Sequence, residues 1–105
     1  MQTRLTLVCS GVTSAVRRGA FPVDEALDAK ASEAAAVLKP ALARADRVLA
    51  GPERRTLQTA AALMLEAVPA EALRDQDFGR WAGKSLDDVG QAEPQALAAW
   101  LVDPA

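Results

Sequence analysis

Histidine is absent from this 105-residue chain, tyrosine is absent too, cysteine occurs once, as Cys9, and aromatic residues make up only 4%. Without histidine the commonest general acid/base near neutral pH is missing, and a zinc site would have to be built from carboxylates alone, so no metal is expected. A single cysteine excludes an internal disulfide. No stretch approaches the roughly 20 apolar residues of a membrane span, and Arg4 interrupts the N-terminus where a signal peptide needs a long apolar run. The expectation is therefore a cytoplasmic protein with no membrane segment and no cofactor. Twelve basic against fourteen acidic residues leave a formal charge of −2, which argues against nucleic acid as a partner. Any anion site must be local.

What is present is ordinary for a globular protein: 50% hydrophobic and 25% charged residues. The length fits one domain, residues 1–105, burying about two-thirds of its unfolded surface. Leu5-Thr6-Leu7-Val8-Cys9 is an apolar run without helical spacing, which reads as a central strand buried on both faces of a mostly parallel sheet. Ser10 and Gly11 then fall at its carboxyl end, where open α/β sheets gather their ligands.

A polar loop over residues 12–21, carrying Arg17, precedes a helix over residues 29–38 with Ala31, Ala34, Ala35 and Leu38 on one face. Asp24, Glu25 and Asp28 suit its positive end, and Pro40 ends it. Residues 47–50 read as a second, parallel strand, giving a right-handed crossover. After Gly51-Pro52 a helix runs to about Ala67, with Leu57, Ala60, Ala61 and Met64 as its buried stripe and Arg54 and Arg55 in its first turn. Residues 72–83 form a structured aromatic loop. Ser85 caps a brief helix, and Pro94 opens a last one with Leu97, Trp100 and Leu101 inward.

Three of these stretches resemble one family. Leu5-Thr6-Leu7-Val8-Cys9-Ser10-Gly11-Val12-Thr13 is similar to the first strand and Leu-Val-Arg-His-Gly-Glu-Thr motif of the histidine phosphatases, the phosphoglycerate-mutase-like superfamily. The stretch from Ala50 to Ala60 resembles the family's Ser-Ser-Pro-Leu-x-Arg-Ala-x-Gln-Thr-Ala motif, and that from Asp75 to Gly83 its Glu-x-Asp-Phe-Gly-x-Trp-Glu-Gly. Arg18 to Pro22 and Pro94 to Leu101 look most like members linked to cobalamin-pathway phosphatases. The likeness spans nearly the whole chain and about the first half of a usual family domain. It implies an α/β architecture, a partial three-layer fold with a small, mostly parallel sheet flanked by helices.

The resemblance also implies a chemistry in which a histidine is phosphorylated while arginines and a later histidine clamp the phosphoryl group. Here Ser10 stands at the histidine, Cys9 at the neighbouring arginine, Arg55 at the second arginine and Asp75 at the acid/base glutamate. A cysteine-phosphatase motif needs arginine six residues after Cys9, where Ala15 stands, so Cys9 reads as a small core residue. Gly79 to Ser85 misses the phosphate-loop spacing by one residue.

Ser10, Gly11, Arg17 and Arg55 are the candidate phosphate ligands, and Ser10 and Asp75 the only family positions for catalysis. The leading expectation is a member without phosphohistidine chemistry that binds a phosphorylated small molecule or a protein partner. An active phosphomonoester hydrolase or mutase, and a structural remnant without ligand, are the alternatives. So few strands leave edges and apolar residues to cover, which suggests a homo-oligomer, a dimer joined through those edges or through Trp100 and Leu101.

Overall fold

The computed structural model describes residues 2–42 and 44–104. The helices are α1 (Ser14–Arg17), α2 (Ala29–Ala36), α3 (Arg54–Ala62), α4 (Leu86–Ala92) and α5 (Pro94–Val102), with short 3-10 turns at Lys39–Leu42, Glu71–Leu73 and Gly79–Trp81. Two strands, β1 (Leu49–Ala50) and β2 (Val68–Pro69), pair in parallel with Leu49 opposite Val68 and Ala50 opposite Pro69. Helix α3 connects them, so the strand–helix–strand unit lies one element later than the sequence suggests.

That shift corrects the expectation for the first strand. Residues 5–9 lie outside any helix or strand, with Leu5 79% and Leu7 86% exposed and Cys9 exposed as well. The segment has strand composition, but a strand exists only when a neighbour takes up its backbone groups. Among the described residues none does so. Cys9 is accordingly not a core residue.

Helix α2 starts where expected because Asp28 caps it, its side chain accepting from the Ala31 N–H at 2.8 Å. Only Ala31 and Ala35 of its predicted face are buried; Ala34 and Leu38 remain exposed. Helix α3 stops at Ala62, short of Ala67, where Met64 turns left-handed at φ 56° and the Leu65 N–H reaches back to the Ala60 carbonyl at 2.9 Å. Its buried side is Arg55, Thr59 and Ala60, while Ala61 and Met64 are exposed.

The main apolar cluster joins Phe21 to residues of the second half of the chain. Phe21, Trp81 and Val89 form its centre, with Phe78, Leu97 and Trp100 packed against it. Phe21 lies 5.2 Å from Phe78, 5.5 Å from Trp81 and 5.4 Å from Trp100 between ring centres. Residues 19–21 reach this cluster by pairing with residues 83–86, through the Phe21 N–H to Lys84 carbonyl (2.9 Å) and the Leu86 N–H to Gly19 carbonyl (3.1 Å). Ser85 caps α4 as expected, accepting from the Asp88 N–H. Trp100 is partly buried against this cluster, and Leu101 is 66% exposed rather than inward.

Candidate functional site

Helix α3 collects contacts from the segment before α1, from the loop between α1 and α2, and from Asp75. The Gly11 N–H donates to the Thr59 hydroxyl at 2.9 Å, and that hydroxyl donates to the Arg55 carbonyl at 2.7 Å, one helical turn back. The Leu27 N–H donates to the Gln58 side chain at 2.7 Å. Glu53, at the helix cap, makes no side-chain capping bond, so the free Arg54 N–H is taken by Asp24 at 2.7 Å. Asp24 therefore serves α3 rather than α2. Ser10, joined to Gly11, is held at the first turns of α3 by the same bond.

The Arg55 guanidinium is buried, with only 8% of the residue exposed, and donates to Asp75 at 2.6 Å and to the Val23 carbonyl at 3.5 Å. Asp75 arrives because residues 71–75 pass close over the start of the helix. A Cβ on Gly51 would stand 2.8 Å from the Leu73 carbonyl oxygen, so glycine is what permits that approach. The Asp75 N–H also bonds Glu53 at 3.3 Å.

Glu25 completes the surroundings. Its carboxylate accepts from the Ala15 N–H at 2.6 Å. That bond, the Thr13 hydroxyl, and the charges of Arg18 and Arg55 hold its pKa below the usual carboxylate value. Arg55 is thus a buried cation facing carboxylates of its own chain. Sequence reasoning found Arg55 and Asp75 but missed Thr59 and Gln58, which hold the Gly11 and Leu27 segments on α3, and Glu25, which binds the Ala15 N–H. The Gln58-Thr59 pair inside the second motif was the available signal.

Arg17 is placed elsewhere. It bonds Asp28 through Nε and, at 3.2 Å, through a terminal nitrogen, so its charge is matched at the cap of α2. That pairing raises the Arg17 pKa and lowers that of Asp28.

Two shallow concavities flank the site without including Arg55. One of about 190 Å³ is almost wholly apolar and runs between Val8, Cys9 and Val12 on one side and Ala34, Leu38 and Leu63 on the other. One of about 240 Å³ is lined by Gln76, Asp77, Phe78, Arg80, Trp81 and Trp100.

Gly11 is thus docked on a helix that carries a buried Arg55 facing Asp75. The model of the histidine phosphatase superfamily (branch 1) matches residues 5–105. The chain belongs to the histidine phosphatase superfamily. No curated protein gives a significant sequence match. A solved structure that resembles this one is described as "a putative alpha-ribazole-5'-P phosphatase from Escherichia coli str. K-12 substr. MG1655", with a TM-score of 0.77 and 24% identity. The match covers 90% of this chain and 52% of that one, so this histidine phosphatase relative spans about half of the solved chain. At that identity the likeness concerns fold. No helix among the described residues is long and apolar enough to cross a membrane.

Proposed function

We propose that this superfamily member binds a phosphorylated small molecule without turning it over, using Arg55 as the cation and Ser10 with Gly11 as the close backbone approach. The observation that carries the reading is the buried guanidinium of Arg55 held 2.6 Å from Asp75, one turn from the Gly11 contact on the same helix. A desolvated arginine at a helix N-terminus suits the oxygens of a phosphoryl group. The Gly11 N–H is already engaged by Thr59, which leaves the Ser10 hydroxyl as the second donor. Arg17 joins only by exchanging Asp28 for the ligand.

Turnover is argued against by residue chemistry. Ser10 stands where the resemblance puts the phosphorylated histidine, and the chain offers no imidazole to activate a hydroxyl. Asp75 is engaged with Arg55. The same reading takes the chain to act as a homo-oligomer, which its exposed apolar residues support.

Asp75 competes for the guanidinium that the ligand needs. Asp75→Asn is therefore expected to strengthen binding of inorganic phosphate several-fold in a calorimetric titration, while Arg55→Gln abolishes it. A gain in Asp75→Asn cannot come from misfolding, so it separates ligand binding from a structural role. Hydrolysis of an aryl phosphate that is lost in Ser10→Ala would overturn the non-catalytic reading, and unchanged phosphate affinity in Asp75→Asn would overturn the site.

A further inference from the structure

Arg55 does not enter the proposed site as a free cation. One terminal nitrogen of its guanidinium donates to Asp75 at 2.6 Å and the other to the Val23 carbonyl at 3.5 Å. Asp75 is itself fixed. Its second carboxylate oxygen accepts from the Gln76 N–H at 2.7 Å, and its own N–H donates to Glu53 at 3.3 Å. The chain just before it lies against Gly51, where a Cβ would stand 2.8 Å from the Leu73 carbonyl oxygen. The Glu25 carboxylate, held by the Ala15 N–H at 2.6 Å, brings a second negative charge within electrostatic reach of the same guanidinium.

A phosphoryl group that reaches Arg55 therefore meets a carboxylate that is tied in place beside it. With a simple phosphate ester, Asp75 loses its cation and is left facing an anion, a like-charge contact that costs affinity. A ligand that carries its own cation removes the conflict. Its phosphoryl oxygens take Arg55, its ammonium takes Asp75, and the charges alternate. We propose that the ligand of this site is an amine-bearing phosphate ester, with an ammonium a short carbon linker away from the phosphoryl group, and that Asp75 is the residue that selects it. This rests on the phosphate-binding reading of Arg55 above and names the ligand class. On binding, Asp75 exchanges a guanidinium for an ammonium instead of going without a partner.

Calorimetric titration of the parent chain with phosphoethanolamine and with ethyl phosphate, the same carbon skeleton without the ammonium, tests the selection. Phosphoethanolamine is expected to bind several-fold more tightly. Asp75→Asn keeps the shape and removes the charge. It is expected to weaken phosphoethanolamine and strengthen ethyl phosphate, so that the preference disappears. Opposite shifts of two ligands on one variant cannot come from misfolding, and the comparison on the parent chain needs no variant at all. Equal affinities for the two esters on the parent chain would overturn the selection by Asp75 and leave the phosphate reading standing, whereas no binding of either would overturn both. A preference for phosphoethanolamine that persists in Asp75→Asn would overturn the assignment to Asp75.

Discussion

The Thr59 hydroxyl holds together two parts of the molecule that are 48 residues apart, accepting from the Gly11 N–H and donating to the Arg55 carbonyl. It is buried, with 6% exposure, so neither partner finds an easy substitute in water. Thr59→Val keeps the shape and removes the hydroxyl. The expected cost is about 1–2 kcal/mol in urea denaturation, with weaker phosphate binding as Ser10 loses its support. An unchanged midpoint would mean that Gly11 is held by packing on Leu27 and Ala31 instead, the atoms a Cβ there would meet at 3.0 and 3.1 Å.

Among the elements, the α4–α5 corner depends on one carboxylate. Glu93 accepts from the Arg80 Nε at 3.0 Å and from the Trp81 indole N–H at 2.8 Å, and ties the aromatic cluster to the helix pair. Those bonds, Arg80 first and then Trp81, lower its pKa from 4.5 to about 2. A folded pKa below the unfolded one stabilises the fold above about pH 4.5, and that stabilisation drains away as the pH falls toward 2. The melting temperature of the parent chain is expected to fall through this window. Glu93→Gln, which still accepts from Trp81, should show a flatter profile there. Parallel profiles would place the acid sensitivity elsewhere.

Helices and caps were legible in the sequence where local chemistry decides them. Ser85 caps α4 and Pro94 opens α5 as read, while Asp28, read only as an acid near the start of α2, is its N-cap. The Arg55–Asp75 pair was legible only as two family positions; the bond between them depends on a chain path over Gly51 that no local pattern announces. The strand at Leu5–Cys9 was misread for the opposite reason. Its composition is a true β preference, but pairing is a property of neighbours, and the described residues supply none. The buried stripe of α3 was shifted because Met64 leaves the helix, and because Arg55 and Thr59, polar residues, occupy the inward face through bonds rather than apolar contact.

At the scale of the whole molecule, the chain is more open than its size dictates. Its radius of gyration is 16.0 Å, against about 13 Å for a compact chain of this length. With 7797 Å² accessible it buries about half of its unfolded surface, not the two-thirds its length suggests. Much of its buried apolar set is alanine, at positions 15, 20, 31, 35, 50 and 60, and each buries little area. A core this small leaves the isolated chain near the threshold of stability, so the homo-oligomer proposed above is expected to contribute a large share of the stability measured. The melting temperature is therefore expected to rise with protein concentration by several degrees per tenfold increase, and binding of an apolar dye should grow on dilution. A melting temperature that stays constant over a hundredfold dilution would show that the open form is stable alone, and would assign the exposed apolar residues no part in holding the fold.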